Sequence, residues 1–393
     1  MKDILNFKSV LLPRKDIDLY KWAVIACDQF TSSPKYWKEV EEITRGAYST
    51  GHLTFPEIYL SADNTARIKA VNAAMLAYLK DGIFIENKNC AVLTRRETKY
   101  NKQRLGLVLS VDLEKYSYIQ SDKALIRASE STILSRIPPR VEIRKNAPVE
   151  LPHIMLLIDD SKRSVIEPLY EKLGSGAPLY DFGLNMDGGH LTGWKTSDIA
   201  FIEDGLNMLL KTDTLVKKYG SIDRLLFAVG DGNHSLATAK AVWDNLKQTL
   251  TEAQKKTHPG RYALVEVVNI YDEGLKFEPI HRVVFGIDKA KFKKNLPPVT
   301  ADAVDSVSRI QSYIDAYLAE NGGEVDYIHG ADEVANAVKD NEKRGSLGII
   351  LPRMKKDEFF NYIVNKGTLP RKTFSMGEGI EKRYYLEARK IVN

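Results

Sequence analysis

The densest chemistry in the chain lies in residues 224–243, RLLFAVGDGNHSLATAKAVW. Asp231, Asn233, His234 and Ser235 crowd a turn that also holds Gly230 and Gly232. A carboxylate, an amide, an imidazole and a hydroxyl on one turn are poor packing groups and good ligand groups. The chemistry they suit is anion recognition. Glycines admit positive φ and a close backbone approach, and the first turn of a helix offers unpaired donors and partial positive charge. A phosphate is the natural guest. Gly230, Gly232, Asn233 and Ser235 are the binding candidates, with Asp231 and His234 as candidates for orientation or proton transfer. The bland alternative is a corner that binds nothing, with Asn233 or Ser235 serving as an N-cap.

The elements that must position this turn are legible on either side. Residues 225–229 are almost wholly apolar, which suggests a buried strand. Leu236, Ala239, Trp243, Leu246 and Leu250 recur at helical spacing, so a helix follows.

The stretch VGDGNHSLATAK resembles the signature of a large bacterial and archaeal family of unknown function, written D-G-H-H-R followed by an aromatic and a T-A pair. That family is similar to the ParB/sulfiredoxin superfamily, which includes ParB-type nucleotide hydrolases, ATP-using sulfiredoxins and kinases of free serine. Asp231, Gly232 and His234 match the signature; Asn233 replaces its first His and Ser235 its Arg. The missing Arg would be a phosphate ligand, so the resemblance implies a substitute cation.

Further matches are spread along the chain. Residues 126–144, IRASESTILSRIPPRVEIR, resemble a second family motif, with Arg127 and Glu130 retained and Ser129 in place of a His. The resemblance makes Glu130 a proton acceptor and brings Arg127 and Arg140 to the phosphate, since arginine suits bidentate anion recognition. Composition alone reads the same stretch as a solvated face. Pro138 and Pro139 are expected to stop any helix begun at Ser129. His281-Arg282 matches another motif, and Arg282 is the first candidate for the missing cation. Arg371 and Lys372, beside Thr373 and Ser375, resemble a terminal Pro-x-Lys-x-Thr pattern able to close over phosphate. His190 and Trp194 follow an Asp-Gly turn as in the family, with Trp194 read as core. Asp28 and Gln29 occupy a loop that the family places near its active face, although a plain loop is the favoured reading. Asp159 and Asp160 end an apolar run; acids there could hold Mg²⁺, but a loop start is preferred.

The remaining periodicity predicts strands at 90–94, 105–112, 154–158 and 262–268, helices at 64–79, 165–173 and 198–211, and a hairpin over 182–194. Together these specify an α/β (α+β, mixed sheets) fold, which the resemblance centres on a ParB/sulfiredoxin-like core. Three regions are expected: an N-terminal α/β region over 1–120, the core with its phosphate-binding turn over 121–250, and a C-terminal α/β region closing the site over 251–393.

With 393 residues, 44% apolar and 28% charged, the chain is long and apolar enough to bury a sizeable core. A net charge of +5 without basic runs suits acidic small molecules and argues against nucleic acid. Cys27 and Cys90 form neither a disulfide framework nor a metal motif and read as buried thiols of a reducing cytoplasm. Single, scattered histidines argue against zinc, and no metal ligand set is expected. No apolar run reaches the ~20 residues of a membrane span, and no signal-peptide h-region follows Met1. No G-x-x-x-x-G-K-[ST] or G-x-S-x-G motif occurs.

These readings converge on a cytoplasmic phosphotransfer enzyme for a small metabolite, kinase or phosphatase, with ATP or ADP and Mg²⁺ as the implied cofactors. Its partner is a small phosphorylated metabolite or nucleotide, and serine or phosphoserine is the substrate implied by the superfamily. The alternative is a ParB-like protein that binds or hydrolyses a nucleotide and acts on nucleic acid.

Overall fold

The computed structural model describes residues 1, 3–60 and 63–392. It divides into two compact units, one formed by Met1–Leu275 with Gly379–Asn393 and the other by Lys276–Glu378. Neither expected boundary, at 120 or at 250, coincides with this division. Strands on either side of both positions, Arg104–Asp112 and Tyr262–Asn269, are direct neighbours in one sheet.

The larger unit is built on a mixed sheet. Its strands run in the order Tyr180–Leu184, Gly189–Thr196, Ala91–Glu97, Arg104–Asp112, Tyr262–Asn269, Met155–Ile158, Phe227–Asp231, Ile126–Arg127 and Tyr116–Ser117. Met155–Ile158 runs parallel to Tyr262–Asn269 but antiparallel to Phe227–Asp231. The sequence Arg104–Asp112 is buried along its whole length, as a central strand covered on both faces must be. Its alternate residues serve two cores. Leu107, Leu109 and Val111 join Val229, Leu236 and Trp243 on one face. Val108, with Leu264, faces Trp22, Val24, Tyr384 and Leu386 on the other.

The second face is closed by the two ends of the chain. Tyr384 and Tyr385 pair with Ile25 and Val24, and Ala388 exchanges backbone bonds with Leu11. Ionic bonds beneath the strands fix this C-terminal segment. Arg383 donates to Glu266 at 2.8 Å and to Glu387 at 2.5 Å, and all three are buried. Glu266 also accepts from Thr94 at 2.8 Å. Gly106 leaves room for it: a Cβ there would lie 2.1 Å from Glu266 Oε1. Buried charges of this kind persist because they are paired and hydrogen-bonded.

In the smaller unit Phe277–Phe285 pairs with Glu324–His329, Ser346–Ile349 and Phe374–Met376, all antiparallel. The helix Ala303–Asn321 packs Val307, Ile310 and Ile314 against Val284 and Leu351. Among the described residues no helix is long and apolar enough to cross a membrane.

No helix begins at Ser129; Pro138 and Pro139 stand in the first turn of the helix Ile137–Arg144. Proline is tolerated there because the first-turn N–H groups have no intrahelical acceptor in any case.

Candidate functional site

The strand Phe227–Asp231 runs into Gly232, and the helix Asn233–Leu246 starts at once. Gly232 is the N-cap in the left-handed region, φ +83° and ψ 28°. A Cβ at Gly232 would sit 3.0 Å from the Cα of Ile154, so both conformation and space favour glycine. With no side chain at the N-cap, the helix opens without a capping side chain. Its first backbone bond is Leu236 N–H to Gly232 C=O, 3.0 Å. Asp231 turns one oxygen onto the N–H of Gly232 at 3.0 Å.

The turn is held from three directions. From the 126–133 segment, Ser129 N–H donates to Asn233 Oδ1 at 3.1 Å, and Asn233 Nδ2 donates to Ser129 Oγ at 3.2 Å. Ile133 N–H points to His234 Nε2 at 3.4 Å. From the strand-leading segment before Met155, His153 places Nε2 3.1 Å from Ser235 Oγ. From the far end of the chain, Lys382 places Nζ 3.3 Å from Asp231 Oδ2.

His153 connects these groups to a buried phenol and thiol. Its Nδ1 lies 2.8 Å from Tyr385 OH. Tyr385 OH donates to Cys27 Sγ at 3.1 Å and accepts from Cys27 N–H at 3.2 Å. With the phenol proton turned to the thiol, His153 Nδ1–H donates to Tyr385, and Nε2 faces both Ser235 Oγ and a carboxylate oxygen of Asp28. Burial, then the Asp28 carboxylate, pushes the Cys27 thiol up to about 12, so it is a neutral group and not a nucleophile. Burial and the same neighbours raise the Tyr385 phenol well above its ordinary range.

Asp28 completes the cluster. One oxygen accepts from Gln29 Nε2 at 2.9 Å, and the other lies 3.6 Å from His153 Nε2. Burial opposes its charge, but His153, Gln29 and Lys382 outweigh it and hold its pKa below the ordinary value. Asp28 approaches the ring nitrogen that Ser235 contacts, while Tyr385 takes the other. A serine-hydrolase triad needs the acid on the opposite nitrogen from the serine, so the arrangement is not one.

The other sequence candidates fall in different places. Gly230 is half-buried in the strand end. Glu130 is half-buried, next in sequence to Ser129. Arg140 donates to Glu57 and to Arg136 C=O and lines a cavity that Ser235, His153, Tyr385 and Cys27 also line. Arg127 is bound to Asp223 and to Ala124 C=O within the protein, and both partners of the ion pair are buried. Asp159 is bonded to Lys218 and Tyr219, and Asp160 accepts from Ser164 N–H and Val165 N–H, so both acids serve as structural anchors. His190 pairs with Asp181 in its hairpin at 2.7 Å.

His281, Arg282, Arg371 and Lys372 belong to the smaller unit. Arg282 is fully buried and donates to the carbonyls of Ile280, Lys372 and Arg371 and to Gln311. His281 accepts from Leu351 N–H at 3.1 Å. The cation that stands beside the turn is Lys382. Nothing in local sequence pattern marks Lys382, His153 or Tyr385: strand pairing with Val24 and Ile25 brings in the C-terminal segment, and His153 precedes the strand Met155–Ile158 that pairs with Phe227–Asp231.

Residues 4–386 match the family model described as protein of unknown function (DUF1015), and the chain belongs to that family. No curated protein matches. Among solved structures, a conserved hypothetical protein from Pyrococcus furiosus is 11% identical, with 72% of this chain and 95% of that chain covered and a TM-score of 0.35. A free serine kinase mutant in complex with ADP is 11% identical, with 72% and 92% covered and a TM-score of 0.37. The free serine kinase in complex with AMP is 10% identical, with 72% and 91% covered and a TM-score of 0.35.

Proposed function

We propose that this DUF1015 protein is a small-molecule phosphotransferase that takes the phosphates of ATP or ADP at its 230–235 turn. The observation that carries the reading is the arrival of Lys382 at Asp231, beside a glycine-capped helix start, in a turn whose signature arginine is replaced by Ser235. A helix N-terminus, a close cation and small polar side chains form a sensible phosphate cradle. The motif resemblance supports reading this strand, turn and helix as a ParB/sulfiredoxin-like core.

Phosphoryl transfer needs positioning and charge neutralisation more than covalent help from the protein. Gly230, Gly232, Asn233 and Ser235 hold the phosphates. Lys382 balances their charge, and Asn233 keeps the turn in register with Ser129. Asp28, held charged in the cluster, accepts the proton of the acceptor hydroxyl as its oxygen attacks the terminal phosphorus and ADP leaves. Glu130 is the carboxylate that the motif resemblance assigns to the same task. His234 and Asp231 orient the turn. Mg²⁺, when bound, would neutralise phosphate oxygens, and such an ion needs only one or two protein carboxylates.

Serine is the first acceptor to test. Protein incubated with γ-labelled ATP, Mg²⁺ and serine should yield labelled phosphoserine, with loss in Asp28→Asn and Lys382→Met. Label released only as inorganic phosphate, whatever the hydroxyl compound added, would contradict transfer to an acceptor.

A further inference from the structure

A cavity of about 150 Å³ opens beside Ser235 and His153 within the larger unit. Most of its wall is apolar, with Leu53, Phe55, Met75, Ile143, Val149 and Leu151. A preformed, mostly apolar concavity with a few polar groups at one edge has the character of a small-molecule site.

The wall restricts what that occupant is. The charged side chains in the lining are already paired: Arg140 with Glu57, and Arg144 with Glu150. A charged ligand would have to break one of these pairs, whereas a neutral one would not. The polar edge is the hydroxyl of Ser235 with the ring of His153. Ser235 Oγ lies 3.1 Å from His153 Nε2, and a hydroxyl with one donor and two acceptor sites keeps hydrogen-bonding capacity beyond that contact. A ligand hydroxyl, itself donor and acceptor, can meet Ser235 in either sense. Cavities of this volume with apolar walls accept a benzene-sized body.

We infer that the cavity binds an uncharged phenol or alcohol whose apolar body, branched or aromatic, has about six heavy atoms, with its hydroxyl bonded to Ser235. The inference goes beyond the phosphotransfer reading and does not rest on it, because binding in this cavity needs no nucleotide.

Phenol is the probe, with benzene and benzoate as controls, followed by saturation-transfer NMR on the full-length protein. Phenol should bind and benzoate should not, a comparison that needs no variant. Ser235→Ala should weaken phenol by roughly tenfold and leave benzene unchanged, because only the hydroxyl is read there. Ile143→Trp, at a half-buried position of the lining, should displace both probes by filling the hollow. Benzoate binding as well as phenol, or phenol binding equally to Ile143→Trp, would overturn the inference. ADP binding without phenol binding would refute this pocket and leave the phosphotransfer reading standing; phenol binding with no phosphorylated ligand bound would do the reverse.

Discussion

In the smaller unit, Arg282 lies in the strand Phe277–Phe285 with its guanidinium turned onto its own chain. It reaches the carbonyls of Ile280, Arg371 and Lys372, and the ring of Tyr327 lies 5.0 Å from it. At the 230–235 turn of the larger unit the bonds run between side chains from remote segments: Ser129, His153, Asp28, Lys382 and Tyr385. Both regions carry residues that match family motifs, and both look basic or polar in sequence. The difference lies in what satisfies the polar groups. A guanidinium saturated by backbone carbonyls is a clamp, whereas the His153 ring and the Ser235 hydroxyl line a cavity and present polar groups to a ligand there.

Four substitutions separate the two regions, beginning with the most destabilising. Removing one partner of a buried ion pair leaves an uncompensated charge, so Asp223→Ala should cost about 3–5 kcal/mol of stability in denaturant melts by stranding Arg127. Arg282→Ala strips donors from buried carbonyls and should cost roughly 3 kcal/mol, with nucleotide affinity of the folded protein unchanged by calorimetry. A drop in affinity there would return Arg282 to the phosphate site. Gly232→Ala forces a Cβ into a left-handed residue against Ile154, and a loss of about 1–3 kcal/mol is expected, together with weaker nucleotide binding. Lys382→Met keeps the aliphatic stem and removes the cation; it should weaken ADP by roughly tenfold.

A smaller effect concerns pH. Burial, and then the charge of Arg282, lowers the pKa of His281 below its ordinary 6.5. The native state holds His281 neutral while the unfolded chain protonates it near 6.5. The associated stability is present above 6.5 and is lost as pH falls toward the folded value. Melting temperature should decline between pH 7.5 and 5.5, and the slope should shrink in His281→Asn. His52 and His258, also lowered by burial, add to the decline in the same direction.

Much of the scaffold was legible because it is local. Apolar runs and helical spacing located the strand and helix around Gly232, the helix Thr65–Lys80 and the hairpin of Tyr180–Leu184 with Gly189–Thr196. Pro138 and Pro139 read as a stop in sequence, yet they suit a first helical turn as well. The site was legible only in its central turn. Lys382 and Tyr385 are separated from that turn by about 150 residues of sequence. They arrive through pairing of Tyr384 and Tyr385 with Ile25 and Val24, which neither periodicity nor motif spacing records. Arg282 was attractive for the opposite reason: the motif named a residue type, and only the hydrogen bonds disclose that its donors are directed inward.

The most direct measurement is calorimetric titration of ADP and ATP, with Mg²⁺, into the parent protein and Lys382→Met. Saturable binding to the parent is expected, weakened by roughly tenfold in the variant, with both proteins folded at the titration temperature. Equal affinity in the two proteins, or no binding of either nucleotide to the parent, would contradict the claim that the 230–235 turn and Lys382 form a phosphate site.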